Sequence, residues 1–179
     1  MKSSFPRMGL SPAVVLTIAG SDNSCGAGIQ ADLKTISAFG AYAQTAVTCV
    51  VAEVPGHVSA IQAIRPAVVA EQIRMSFEAF PIAAVKTGML YSTPIIRAVT
   101  EVLGECGRGV PLVIDPVTVA SSGDPLLKPA AIAAYRKLLF PLATIVTPNL
   151  DELRILSGMP CRDIAEIKQA GAEIGRAHV

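Results

Sequence analysis

Ala13-Val14-Val15-Leu16-Thr17-Ile18-Ala19 runs straight into Gly20-Ser21-Asp22, and after three more residues Gly26-Ala27-Gly28-Ile29-Gln30-Ala31 opens a new segment. The first run is almost unbroken in apolar character, which is the pattern of a strand buried on both faces of a parallel sheet. The segment that follows carries Ile29, Leu33, Ile36 and Phe39 on one stripe, a helical spacing, and Gly40 stops it. A strand, a glycine-rich turn and an amphipathic helix form the first unit of an α/β chain.

The same alternation continues outward. Strands are expected over 45–52, 83–86, 112–114 and 143–146. Helices are expected over 68–80, 93–103, 130–139, 149–157 and 163–174. The order β-α-β-α-β-α-β-α-β-α implies an α/β fold of three layers, with a mostly parallel central sheet between helices. Ligands in such sheets bind beyond the carboxyl ends of the strands. The segments there are Gly20-Ser21-Asp22, Glu53, Lys86-Thr87-Gly88-Met89, Asp115-Pro116-Val117 and Thr147-Pro148-Asn149.

Composition narrows the function. The 179 residues hold 15 Lys plus Arg against 14 Asp plus Glu, a net charge of +1, with 51% apolar and 16% charged residues. That is too apolar for a disordered chain. Balanced charge and the absence of Trp speak against a nucleic-acid partner, which needs clustered cations and stacking aromatics. No window of about 20 residues is free of charge and polar breaks, so no membrane span is expected. The apolar run from Ala13 breaks at Gly20, which does not resemble a leader peptide. Cys25, Cys49, Cys106 and Cys161 have no metal-like spacing and are expected to be free thiols in a cytoplasmic protein.

Each chemical motif has a plainer reading beside it. Gly26 to Ala31 matches the G-x-G-x-x-G/A dinucleotide fingerprint, with Glu53 as its later acidic residue. However, Ser21 to Cys25 separate it from the strand, so the turn is too long for that motif, and a glycine-rich loop approaching another ligand fits better. There is no G-x-x-x-x-G-K-[ST]. Asp32 near the start of a helix either favours the helix dipole, worth about 0.3–1 kcal/mol, or faces the cleft with the loop's free N–H groups. Glu53 is either a structural ion pair or an acceptor for a ligand amine, since a carboxylate in an apolar stretch is costly unless paired. Asn149-Leu150-Asp151-Glu152 reads as a capping box. Asp115 and Glu152, after neighbouring strands, can share a magnesium ion. His57 after Pro55-Gly56 reads as a loop residue, and Cys25 as a small loop side chain rather than a nucleophile.

Taken in order, Ala19-Gly20-Ser21-Asp22, Gly26-Ala27-Gly28-Ile29-Gln30-Ala31-Asp32-Leu33-Lys34-Thr35, Lys86-Thr87-Gly88-Met89-Leu90, Asp115-Pro116-Val117 with Ser122-Gly123, and Thr147-Pro148-Asn149-Leu150 resemble the hydroxymethylpyrimidine and phosphomethylpyrimidine kinases of thiamine biosynthesis. The resemblance spans about Val14 to Gly158. It implies the ribokinase-like fold, ATP and Mg2+ as cofactors, and a small pyrimidine substrate. Gly20, Ala27 and Asp32 would line the pyrimidine pocket, with the backbone at Val51 and Met89 closing it. Glu53 stands where relatives often have Gln, and would contact the aminopyrimidine and make binding pH-dependent. Asn149 would bind the nucleotide, Asp115 and Glu152 the metal. Ser121 replaces a Lys common in relatives.

The resemblance also divides the chain. Residues 1–12 are expected to be an N-terminal tail and 13–173 the N-terminal part of one kinase domain. Ile174-Gly175-Arg176-Ala177-His178-Val179 reads as a translated sequencing adapter, hence a non-native tail. The family's glycine-rich anion hole and its catalytic Cys or Asp are expected beyond this point, so no catalytic residue is assigned and this fragment is expected to be inactive alone. A homodimer is compatible with the reading. Three other functions stay open: a pyridoxal kinase-like activity, a non-catalytic pyrimidine-binding module, and a nicotinamide-dependent dehydrogenase.

Overall fold

A computed structural model describes residues 12–118 and 129–175. Strand β1 (Val14–Asp22) leads through the glycine loop to helix α1 (Gly28–Ala38) and β2 (Tyr42–Val54). There follow β3 (His57–Ala63), α2 (Pro66–Ala79), β4 (Ile82–Thr87), α3 (Thr93–Cys106) and β5 (Leu112–Ile114). Helix α4 (Pro129–Ala134) continues into a wider π turn (Tyr135–Leu139) and a tight 3-10 turn (Phe140–Leu142). The chain then forms β6 (Ile145–Val146), α5 (Leu150–Ser157) and α6 (Ile164–Glu173). Ile174 closes α6 and is buried.

The six strands lie in the order β3-β2-β1-β4-β5-β6. All neighbours are parallel except β2 and β3. The expected mostly parallel α/β sheet is therefore present, with one strand more than the sequence reading placed. His57 does not sit in a loop. It opens β3 and pairs with Val54 across a two-residue turn. Pro55 supplies the fixed φ of the turn and Gly56, at φ +81, the left-handed position after it.

From β1 the chain first crosses to β2 on one side, and later returns to lay β4 on the other. The switch point is therefore between β1 and β4. Right-handed crossovers in opposite directions place their helices on opposite faces. Helices α2 and α3 pack together on one face, where Val69, Ile73, Ile95, Ile96, Val99 and Val102 are fully buried against Leu16, Ile18 and Val85. Helix α1 packs on β1 and β2 and buries only Ile29. At about 25 cal/mol per Å² of apolar surface removed from water, stability resides mainly in the α2–α3 layer.

Candidate functional site

At the carboxyl ends of β1, β2 and β4 a cavity of about 480 Å³ opens. Gly20, Ala27, Asp32, Val51, Glu53 and Met89, all six residues expected to contact substrate, lie on its wall, and so does Asp115. Several local devices bring them together. The β1–β2 register slips between Ala19 and Ser21, at Gly20. A Cβ on Gly20 would sit 2.9 Å from Cys49 Sγ and 3.1 Å from Met89 Cε, so a side chain here would push those two aside. The β2–β3 register slips between Ala52 and Glu53, the kind of bulge that re-aims a side chain.

The glycine loop is organised by a residue that the sequence reading did not assign. Asp22 is only 4% exposed. Its carboxylate accepts hydrogen bonds from Ser24 N at 2.7 Å, Ser24 Oγ at 3.0 Å, Gly26 N at 3.1 Å and Ala27 N at 2.7 Å. Burial pushes the Asp22 carboxyl upward, but these bonds outweigh it and hold it below the ordinary aspartate range. The loop therefore gives its N–H groups to Asp22 rather than to a ligand phosphate. This disposes of the dinucleotide fingerprint and corrects the expectation of free loop donors. Gly28, at φ +59, brings the chain so close to β1 that a Cβ would lie 2.5 Å from Gly20 O. Asn23 Oδ1 accepts from Glu53 N at 2.7 Å and ties the loop to β2.

Asp32 is no dipole partner; it lies on the cavity wall, as the cleft reading expected, but beside a cation rather than free loop N–H groups. The first turn of α1 has no acidic residue. The Asp32 carboxylate accepts from the Thr17 hydroxyl and from Lys86 Nζ, 3.1 Å from each of its oxygens. Lys86 Nζ also stands 3.5 Å from Asp115 Oδ2. Burial raises the Asp115 carboxyl pKa, the Lys86 ammonium opposes that, and Asp32 adds to the rise. Burial likewise raises Glu53, with Asp22 adding to it. Lys86 and Asp22 were legible in principle: the first as a lone cation in an apolar strand, the second as an aspartate whose side chain can bond backbone two residues on.

Asn149 and Glu152 stand off the cavity wall. They form a full capping box on α5, with Asn149 Oδ1 accepting from Glu152 N and Glu152 Oε2 accepting from Asn149 N, both at 2.9 Å. Glu152 is 4% exposed. Burial raises its carboxyl pKa, bonds from the Asn149 and Thr118 backbones oppose that, and Asp115 adds to the rise. Asp115 and Glu152 are thus electrostatic neighbours. Among the described residues no three metal-ligating side chains cluster, and no helix is long and apolar enough to cross a membrane. Ser121 and Ser122-Gly123 lie outside the described residues.

Residues 22–179 match the family model for phosphomethylpyrimidine kinase. The chain is 46% identical over 167 residues to the hydroxymethylpyrimidine/phosphomethylpyrimidine kinase of Mycobacterium leprae, covering 93% of this chain and 60% of that protein. It is 40% identical over 175 residues to the thiamine biosynthesis bifunctional protein ThiED of Geobacter sulfurreducens, covering 98% and 34% respectively. Among solved structures, phosphomethylpyrimidine kinase from Clostridium difficile superposes with a TM-score of 0.84 at 42% identity, over 90% of this chain and 70% of that one. Pyridoxal kinase from Staphylococcus aureus in complex with ADP gives 0.80 at 38%, over 91% and 59%.

Proposed function

This chain belongs to the phosphomethylpyrimidine kinase family, and from that premise we propose that it serves the ATP-dependent phosphorylation of 4-amino-5-hydroxymethyl-2-methylpyrimidine and then of its monophosphate. The observation that carries the reading is the convergence of Gly20, Ala27, Asp32, Val51, Glu53 and Met89 on one cavity, with Asp115 on the same wall. Val51 and Met89 offer apolar contact to a flat ring, and Glu53 accepts from its exocyclic amine and favours a protonated ring nitrogen. In the first reaction the substrate hydroxyl oxygen bonds to the γ-phosphorus of ATP and the hydroxyl proton is lost; in the second a phosphate oxygen of the monophosphate does so, with no hydroxyl proton to lose. In both, the bond from that phosphorus to the bridging oxygen breaks and ADP leaves with the electron pair. Such transfer depends on positioning and charge stabilisation.

Magnesium suits the donors present. Asp115 and Glu152 are hard oxygen ligands whose carboxyls are both pushed up by burial, and magnesium keeps several waters rather than demanding an all-protein cage. These two residues would hold it, with Asn149 fixing Glu152. A bound magnesium ion supplies positive charge against phosphate oxygens. The glycine loop of the cavity cannot be an anion hole, because Asp22 takes the Gly26 and Ala27 N–H groups. The chain spans 60% of the Mycobacterium leprae relative, and we assign its described residues to substrate binding.

Calorimetric titration with the pyrimidine and with pyridoxal, beside an ADP-coupled assay, tests this. Pyrimidine binding at least tenfold tighter than pyridoxal supports it. The reverse order favours a pyridoxal kinase-like activity, the second reading, which the structural likeness to pyridoxal kinase keeps in view. Binding without any ATP turnover in a chain carrying the family's full length favours a non-catalytic module. A homodimer and a cytoplasmic location complete the proposal, and sedimentation and cell fractionation check them.

A further inference from the structure

We propose that Lys86 is the docking cation for a phosphate monoester in the substrate cavity, and so the residue that admits the once-phosphorylated pyrimidine. The inference rests on the pyrimidine reading above and names what distinguishes its two substrates. The cavity wall carries four carboxylates, Asp22, Asp32, Glu53 and Asp115, and among the described residues Lys86 is its one Lys or Arg. A neutral alcohol can enter such a site freely. A phosphate monoester is repelled by these four carboxylates, and among the described residues of the wall only Lys86 and His57 carry a nitrogen side chain to set against them, Lys86 being the one seated among the acids.

The geometry around Lys86 suits an exchangeable contact. An ammonium has three donors. Two positions of Asp32 lie 3.1 Å from Nζ, at hydrogen-bond distance, whereas Asp115 Oδ2 lies 3.5 Å away, at ion-pair distance only. Asp32 is anchored independently by the Thr17 hydroxyl. Lys86 can therefore release Asp115 and turn to a phosphate oxygen while Asp32 holds it in place. An ordinary structural pair would match one cation to one acid in a closed setting. Here one cation serves two acids, and its side chain keeps 26% of its exposure. Gly88 runs close beside it: a Cβ there would lie 3.0 Å from Ala19 Cβ and 3.1 Å from Lys86 Nζ. Lysine binds phosphate as a point charge on a flexible stem.

A terminal phosphate group has two sources here, the phosphorylated pyrimidine, a monoester, and the anhydride end of the nucleotide. Isothermal titration of the chain and of Lys86→Met separates them, with the pyrimidine alcohol, its monophosphate and ATP each added alone. The expected result is a shift of at least tenfold in the ratio of the two pyrimidine affinities, toward the alcohol, with partial recovery of the ratio in Lys86→Arg. Asp115→Asn, which removes the competing acid, is expected to tighten the monophosphate severalfold, an upward change that a merely structural role would not give. Should Lys86→Met fail to fold, Lys86→Gln, which keeps a polar side chain without the charge, supplies the same ratio test. Equal loss for both pyrimidines, or a loss confined to ATP, overturns the proposal and leaves the pyrimidine reading standing. Failure of the unaltered chain to bind either pyrimidine overturns both.

Discussion

Replacing Asp22 with Asn tests whether one carboxylate builds the cavity's glycine loop. The substitution keeps the shape but puts an amide, itself partly a donor, where three backbone N–H groups and a hydroxyl now converge. Hydrogen bonds to a charged group are worth about 1.5–3 kcal/mol each. Ser24, Gly26 and Ala27 are exposed, so water replaces much of what their N–H groups lose, and the sum is far below additive. A net cost of about 2–3 kcal/mol follows, which is a fall of roughly 4–12 °C in Tm for a domain of this size. The pH dependence gives a sharper signature. Because the folded carboxyl is held below the ordinary range, its contribution is complete above the unfolded aspartate pKa and is lost as pH falls through the folded value. The gap between the two proteins should therefore be full at neutral pH and close on acidification below about pH 4. Thermal unfolding followed by circular dichroism across that range measures it. A variant within about 0.5 kcal/mol of the parent at neutral pH, or a gap that widens on acidification, would refute the assignment.

Gly28→Ala forces a side chain into a left-handed position and to within 2.5 Å of Gly20 O. It should cost at least about 2 kcal/mol in denaturant titration, and a neutral result would mean that α1 starts elsewhere. Glu53→Gln should flatten the pH dependence of pyrimidine affinity. With the carboxyl raised by burial, the parent loses its acceptor as pH falls through that raised value, so calorimetry should show a decline in affinity on acidification that the variant lacks. Asn149→Ala removes the acceptor for Glu152 N and should destabilise by about 1 kcal/mol, a small drop in Tm that excludes the capping assignment if it is absent.

The fold was largely legible because its central strand β1 is buried on both faces. Val14 to Ala19 and Ile82 to Val85 are almost wholly apolar, so no polar side confuses the period, and α2 and α3 carry wide apolar stripes. What escaped was the part facing water. Strand β3, His57-Val58-Ser59-Ala60-Ile61-Gln62-Ala63, is half polar and lies at the sheet edge, paired on one side only. Its signal was the Pro55-Gly56 turn, which reads equally well as the end of a strand. The site divides in the same way. Residues that follow strands, such as Glu53, Met89 and Asp115, could be placed because topology delivers strand ends to one rim. Partners could not: nothing in the spacing of Thr17, Asp32 and Lys86 says that they meet, since |i−j| is 54 between the last two.

The glycine loop shows why a motif and its donors must be read together. Gly26-Ala27-Gly28 has the composition of a phosphate cradle, and the N–H groups of Gly26 and Ala27 do converge on a negative charge. The charge is the protein's own. An internal carboxylate fixes the loop, so its form does not depend on a bound anion. It also leaves anionic phosphate with no welcome from this backbone. A phosphate in this cavity would need donors other than the N–H groups of Ser24, Gly26 and Ala27, because Asp22 already holds all three.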